Sequence, residues 1–441
     1  MEHMRNEPAA APRPPRRDRW PVALVTMSHA VQHLYAVGIA LTYPAIQTTF
    51  HVSTGTLGIV LTVSGVVGGV LQGAAGLIRR ASTRALLAGQ GIGLAVTSAL
   101  GAVAGGFPLY GAARVLSAFV YWPQHPVGSA YLSERYPERR GAILSWHTAG
   151  GSIGSLAVPL LVGAITEQWG WRWALVALAV PMALGGVLVG ARLPGDRRPH
   201  GHGASGAVPT GPTGAGAASA SGHGAGASPR SAPGTPPPRV PLRRALRSRE
   251  ALVVLAASTI AAGGRGLGTL SAYVPIYLGH SRHLRPVLIG VVFTALTAAS
   301  IVGPVVAGHL SDRLGRRRML VATYALAAVA IAAFPLVGGG LGALVPMAAV
   351  VGFLAYAESP LLQAAFSDAV EGADHRAAFG AFFAIAYGVG SVWFAALGWV
   401  IDRFGFTWAF GVMAGSFVVA GLLLLPGALR PEERRRALVR P

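Results

Sequence analysis

"GHLSDRLGRRRML" (residues 308–320) sets one acid and four arginines into thirteen positions, between two apolar runs that are each long enough to cross a bilayer. A soluble domain carries roughly 25% charged residues. This chain of 441 residues carries 12% and is 52% hydrophobic, with a positive mean hydropathy. Charge gathered into a short turn between long apolar runs marks a polytopic membrane protein, because only a helix or a closed barrel satisfies its own backbone inside lipid.

Working outward from that turn, charge clusters and Gly/Pro turns divide the chain into twelve predicted spans. The first six lie near 21–46, 55–77, 85–104, 107–132, 141–166 and 171–191. The second six lie near 250–278, 286–310, 319–338, 341–367, 376–401 and 406–426. The N-terminal arginines (Arg13, Arg16, Arg17, Arg19) precede an apolar run too long for a secretory signal and without a small-residue cleavage site, so this run reads as the first span. The predicted domains are a basic tail (1–20), a six-span bundle (21–192), a disordered linker (193–249), a second six-span bundle (250–427) and a tail (428–441). The linker is Gly, Ala, Pro, Ser and Thr without apolar periodicity, and its His200, His202 and His223 lack the fixed spacing of a metal site.

The formal net charge is +20, and all 36 basic residues are arginine. A nucleic-acid binder would cluster cations on a solvated face; here they sit in gaps between spans, so no nucleic-acid partner is expected. With the N-terminus inside, 30 of the 36 fall in predicted cytoplasmic segments, four (Arg172, Arg282, Arg285, Arg403) outside, and two within spans. That bias predicts cytoplasmic termini and a place in the cell's inner (plasma) membrane. Cysteine is absent, which excludes disulfides, thiolate metal sites and cysteine nucleophiles but leaves the redox compartment open.

The two halves repeat at a shift of about 234 residues. "FVYWPQHPVGSAYLSE" (119–134) aligns with "FLAYAESPLLQAAFSD" (353–368), and "GAITEQWGWRWAL" (163–175) with "GWVIDRFGFTWAF" (398–410), pairing Glu167 with Asp402 and Gly170 with Gly405. An even number of spans separates the copies, so they share orientation. The predicted fold is therefore an all-α membrane protein of twelve transmembrane helices, two six-helix bundles related by a pseudo-two-fold axis along the membrane normal. In transporters built this way the substrate sits between the bundles near mid-bilayer.

With these features in view, the opening turn resembles the cytoplasmic-loop signature of the major facilitator superfamily, G-x-L-x-D-R-x-G-R-R/K, through Gly308, Leu310, Asp312, Arg313, Gly315, Arg316 and Arg317. The resemblance implies a latch in which the acid meets a helix end and arginines while the bundles rock between inward-open and outward-open states. The alternative for these residues is topology alone: arginines retained inside, glycines making a tight turn. The first-half copy, "GAAGLIRRASTRALL" (73–87), keeps Arg79, Arg80 and Arg84 but has no acid and no second glycine. The first half is also similar to the fosmidomycin-resistance branch of drug efflux carriers. His29 and Tyr35 match its H-x-x-x-D-x-Y arrangement and "QHPVG" (124–128) its His-Pro-x-Gly, while His33 replaces the acid and Val127 the Glu. Arg114 matches the superfamily's fourth-span arginine, although Ala118 replaces the glycine that follows it.

Charge inside a span costs several kcal/mol, so each such residue is a functional candidate. Among the sixteen acids only Glu358 lies well inside an apolar run, ten residues before Asp368, which at 1.5 Å per residue is ~15 Å and hence near mid-bilayer. It is the candidate proton carrier; alternatively it is ion-paired with an arginine across the cavity. Arg114 and Arg265 are candidates for the substrate or proton path. His29 and His33 share a helix face, and His125 and His147 also lie within spans. With Gln32, Tyr35 and Tyr273 they complete the expected path. Tyr43, Trp122 and Trp146 are further wall candidates. No third ligand stands beside His29 and His33 in sequence, so no metal and no cofactor are expected. Facing one cavity, these groups favour an anionic or amphipathic solute over a cation. The expected function is secondary transport by a monomer embedded in lipid, exporting a small organic anion in exchange for protons. Proton-coupled uptake of a metabolite and lipid flipping are the alternatives. Enzyme signatures are absent: "GGRGLG" inside an apolar span is no phosphate loop.

Overall fold

A computed structural model describes residues 19–75, 81–136, 139–196, 241–370 and 374–425. Most of both tails, Arg79 and Arg80, and the histidines of the 193–249 stretch lie outside these described residues. Within that stretch, however, Leu242–Leu246 is a short helix with Ala245 buried, so the expected linker gives way to ordered chain before span 7.

The described residues form twelve membrane-spanning helices in two six-helix bundles. Spans 1 to 6 are Trp20–Leu41, Thr54–Ala74, Thr83–Ala102, Phe107–Arg135, Arg140–Trp169 and Trp171–Arg192. Spans 7 to 12 are Arg249–His280, Pro286–Leu314, Arg316–Leu336, Leu341–Ala369, Ala377–Phe404 and Phe406–Leu423. Eleven are long and apolar enough to cross a membrane as they stand. Span 4 is assembled from Phe107–Tyr121, a π turn at Gln124–Gly128 and Ser129–Arg135, because the Trp122-Pro123-Gln124-His125-Pro126 stretch interrupts its helix. Large apolar side chains such as Ile59, Leu184, Val329 and Trp146 point out of the fold, as lipid-facing residues do.

Two departures from the predicted boundaries have local causes. Span 1 was expected to reach residue 46, yet it stops at Leu41 and the chain restarts as Tyr43–Phe50. Pro44 removes a backbone donor and its ring clashes with the preceding turn, and the Thr42 amide and hydroxyl both donate to the Ile39 carbonyl at the helix end. At the opening turn, span 8 ends where Gly315 adopts φ +88°, a backbone conformation that side chains resist, and span 9 begins at Arg316.

Two faces are distinguished by the turns: the starting face, where span 1 begins and the 2–3 and 8–9 turns lie, and the far face, where spans 1 and 2 join. The bundles meet along spans 2 and 11 and along spans 5 and 8. Small residues allow the approach: a Cβ on Gly69 would fall against the Gly388 backbone, and one on Gly163 against the carbonyl of Pro286. The Thr62 hydroxyl donates to the Ser391 carbonyl (2.9 Å) and accepts from the Ala395 amide (3.0 Å), so backbone groups at the bent middle of span 11 are satisfied by the other half.

Candidate functional site

Spans 1, 2 and 4 of the first half and spans 7 and 11 of the second enclose a cavity of about 240 Å³. Three of its contributors are interrupted helices. Span 7 unwinds at Ala262–Leu270, where Arg265 is extended and Leu267 leaves helical geometry. The carbonyls freed by this break are taken up inside the protein, with the Thr269 hydroxyl donating to Gly263 O (2.8 Å) and the Ser271 hydroxyl to Gly266 O (2.8 Å). Span 11 carries a π turn at Ala384–Gly388, and span 4 one at Gln124–Gly128. Irregular backbone at membrane depth is tolerated where it lines a cavity or is buried in protein, and the glycines of "GGRGLG" admit close neighbours there: a Cβ on Gly266 would fall against the Tyr356 ring and one on Gly264 against the Met413 carbonyl.

Among the described residues two cations and no acid line this cavity. Arg114 reaches it from span 4, its Nε donating to the Tyr43 hydroxyl (3.5 Å) and its Nη1 to Ser117. Among the described residues no carboxylate pairs with it. Arg265 reaches the cavity from span 7 and is tied down on every nitrogen. Nε donates to Glu358 (2.8 Å), Nη1 to the Ala386 carbonyl (3.2 Å), and Nη2 to the Ser258 carbonyl (2.6 Å) and hydroxyl (2.9 Å). Its guanidinium carbon lies 4.5 Å from the centre of the Tyr387 ring. Glu358, wholly buried behind it on span 10, also accepts from the Tyr324 hydroxyl (3.3 Å). The ion pair expected to reach across the cavity thus lies inside the second bundle.

The sequence grouped ten residues into one path; the fold separates them. Tyr35, Arg114 and Arg265 line the cavity, and Glu358 stands one contact behind. Tyr273 is fully buried and its hydroxyl donates to the Phe394 carbonyl, an anchor between spans 7 and 11 and not a wall of the cavity. Trp122 is buried away from the cavity, and Trp146 is 68% exposed on the outer surface. Tyr121, Tyr387, Ser64 and Ser391 line the cavity, and no sequence signal had marked them.

His29, His33, His125 and His147 form a second centre, inside the first bundle and off the cavity lining. Ring centroids of His33, His125 and His147 lie 4.6, 5.0 and 4.2 Å from that of His29. Gln32, beside them, donates to the Tyr121 carbonyl (2.9 Å). At the repeat shift of 234 residues Gln124 falls on Glu358, so this cluster occupies in the first half the place that the Arg265–Glu358 pair occupies in the second.

At the starting face the opening turn is held by Arg316, which pairs with Asp368 (3.3 Å), and by Arg317, which donates to the Leu424 carbonyl (2.8 Å). Asp312 and Arg313 are exposed, and a Cβ on Gly308 would meet open space. The acid that meets this turn is therefore Asp368 of span 10, where Asp312 was expected.

The far face carries contacts absent from that expectation. Asp402, at the end of span 11, accepts from the backbone amides of Thr54 (2.9 Å) and Gly55 (2.7 Å) at the start of span 2. Glu167, its repeat partner at the end of span 5, accepts from the Val287 amide (3.1 Å) at the start of span 8 and from the Arg285 guanidinium. Each carboxylate fills the free donors of a helix N-terminus in the other bundle, where the helix dipole also favours negative charge. Gly170 and Gly405 end the two acid-bearing helices alike, at φ +87° and +85°. Nearby, a ring nitrogen of His280 on span 7 lies 3.3 Å from the Pro44 carbonyl.

The fold is shared with solved structures. A bacterial homolog of the human lysosomal transporter Spinster, in inward-facing and unoccupied conformation, is 14% identical with a TM-score of 0.62, over 93% of this chain and 95% of that one. A variant of the nucleoside transporter NupG is 13% identical with a TM-score of 0.68, over 92% and 99%. No curated protein matches the sequence. The family model of the Major Facilitator Superfamily matches residues 25–394 and, separately, 254–440. Two repeated bundles, a cavity between them and that match over most of its length establish that the chain belongs to the Major Facilitator Superfamily and is a membrane transporter, not an enzyme.

Proposed function

We propose that the protein carries a small organic anion across the cell membrane by alternating access, and carries a proton with it. The observation behind this reading is a cavity between the bundles lined by Arg114 and Arg265 with no acid among its lining residues. In a low-dielectric site such a pair of guanidinium groups attracts a carboxylate or phosphate and repels cations. Tyr35, Tyr43, Tyr121 and Tyr387 add amphipathic walls suited to an organic body.

Coupling follows from the Arg265–Glu358 pair. While Glu358 is ionised it neutralises Arg265, and Arg114 alone attracts substrate. A proton on Glu358 cancels the acid and leaves Arg265, still positioned by Ser258, Ala386 and Tyr387, as a second cation for the anion. Proton and anion then favour one another's binding, which is co-transport, and a proton gradient directed inward drives uptake. Alternation opens and closes the far-face contacts of Glu167 and Asp402. The arginine bias assigns the far face to the outside and the termini to the cytoplasm. A second reading, efflux in exchange for protons, draws on the similarity of His29, Tyr35 and "QHPVG" to the fosmidomycin-resistance branch.

The test is transport in proteoliposomes with an imposed pH gradient and a panel of labelled organic anions and cations. Co-transport predicts anion accumulation on the alkaline side. Glu358→Gln is expected to retain anion counterflow and lose gradient-driven accumulation. Accumulation on the acidic side would replace co-transport by exchange, and undiminished accumulation in Glu358→Gln would remove Glu358 from coupling.

A further inference from the structure

The histidine cluster of the first bundle has a property that neither packing nor the cavity uses. His29 and His147 are buried (4% and 2% exposed), and His33 and His125 are partly buried. The hydrogen-bond network assigns the tautomers. His29 Nδ1 lies 2.8 Å from the His147 carbonyl, which can only accept, so Nδ1 carries the proton. His33 Nδ1 lies 3.4 Å from the Ser155 hydroxyl, whose own hydrogen is donated to the Gly151 carbonyl (3.2 Å), so here too Nδ1 donates. Both Nε2 atoms are thereby left as bare lone pairs, and among the described residues neither they nor either ring nitrogen of His147 has a protein partner. A buried acceptor without a partner costs free energy that packing alone does not return.

An imidazole whose Nδ1–H is held by a carbonyl or hydroxyl while its Nε2 stays free is the arrangement of a metal-ligating histidine. Ring nitrogens of His29, His33 and His125, one from each, lie within 4.8 Å of one another. Zinc–nitrogen bonds of ~2.0–2.1 Å in tetrahedral geometry ask for separations of about 3.3–3.5 Å, so ring rotations that move each nitrogen by roughly 1 Å close the site. The surroundings are built for these rings. A Cβ on Gly151 would stand 2.8 Å from His29 Cε1 and 3.1 Å from Nε2, so only glycine admits the ring between spans 1 and 5. His125 sits on the π turn Gln124–Gly128, between Pro123 and Pro126, which fix its backbone. Sequence spacing offered only two ligands; the fold brings the third from span 4 and a fourth candidate from span 5.

We propose that His29, His33 and His125 bind a first-row divalent transition-metal ion of the Zn²⁺ class, with His147 or a water as fourth ligand, tying spans 1, 4 and 5 together. Neutral imidazole ligands suit Zn²⁺, Co²⁺, Ni²⁺ and Cu²⁺ and disfavour Mg²⁺ and Ca²⁺, which require oxygen. The ion supplies between spans 1 and 4 of the first half the electrostatic tie that Arg265 and Glu358 supply between spans 7 and 10 of the second. It lies off the cavity lining and so is a resident ion, not the anionic cargo.

The test uses full-length protein without a polyhistidine tag, carrying His200→Ala, His202→Ala and His223→Ala to remove the other clustered histidines, stripped with chelator and titrated with Zn²⁺ or Co²⁺ alone. One equivalent of Zn²⁺ is expected, with an X-ray absorption shell of imidazole nitrogens at about 2.0–2.1 Å, tetrahedral Co²⁺ absorption bands, and a Zn²⁺-dependent rise in melting temperature. His33→Ala and His125→Ala are each expected to weaken binding roughly 100-fold or more, and Ser155→Ala, which leaves every ligand in place, by about 10–100-fold. Less than stoichiometric binding by the parent protein, a zinc shell without imidazole, or equal affinity after His29, His33 and His125 are all replaced by Ala overturns the proposal. The stoichiometry and spectra are measured on the parent protein, so they decide the matter even where a variant fails to fold.

Discussion

Asp402→Asn and Glu167→Gln test the far-face contacts without changing side-chain shape. Asp402 accepts two backbone amides of span 2, at 2.9 and 2.7 Å. The amide replacement loses the charge and one acceptor. A hydrogen bond to a charged group is worth ~1.5–3 kcal/mol when buried and an anion at a helix N-terminus ~0.3–1 kcal/mol when exposed, so this half-exposed contact contributes about 1–2 kcal/mol. That is a change of about 5–30-fold in the ratio of far-face-closed to far-face-open protein. Glu167→Gln should act in the same direction through the loss of its contact with the Val287 amide, because the Arg285 side chain is 72% exposed and solvent screens its share. The two contacts share no partner, so the double variant should shift the equilibrium further than either single one. The chain has no cysteine, so Ala118→Cys in the cavity lining provides a single reporter for maleimide applied from the far face. Labelling should accelerate about 5–30-fold in Asp402→Asn, also rise in Glu167→Gln, and rise furthest in the double. An unchanged rate in a double variant that still folds would refute the assignment of these carboxylates as latches.

Other outcomes follow from the same geometry. Arg114→Gln should leave melting unchanged and weaken anion binding roughly 10–150-fold, the loss of one charge-assisted contact, read by binding to the purified protein. Glu358→Ala strands a buried guanidinium and should cost about 3–5 kcal/mol of stability, whereas Arg265→Met with Glu358→Leu should recover most of the melting temperature while abolishing coupled transport. In Gly154→Ala the added carbon would overlap the Ala30 carbonyl oxygen, so spans 1 and 5 must part at a cost of ~1–3 kcal/mol, visible as a lowered melting temperature in detergent. Trp146→Ala, on the outer surface, should change neither melting nor transport by more than ~0.5 kcal/mol equivalents.

Much of the fold was legible in the sequence because lipid is a uniform solvent: it demands apolar runs of fixed length and sends charge to the turns. Residues 308–320 announced a turn, and the 234-residue repeat a pair of bundles. The same argument singled out Arg114, Arg265 and Glu358, since charge within a span is costly wherever it sits. What sequence reading missed is local backbone chemistry and partnership. Pro44 ended span 1 early, and Asp368 took the place expected of Asp312 at the opening turn.

Sequence by itself determined which residues must be buried, how many times the chain crosses and that its halves are copies. Tertiary structure alone decided which buried polar groups meet. It put Glu358 against Arg265 within one bundle, separated the four histidines from the cavity, and set Glu167 and Asp402 on helix starts of the opposite half. Composition and periodicity constrain a residue's exchange with its solvent, whereas hydrogen bonds and metal ligation depend on distances of a few ångströms between residues more than 90 positions apart in sequence, which only the packed helices define.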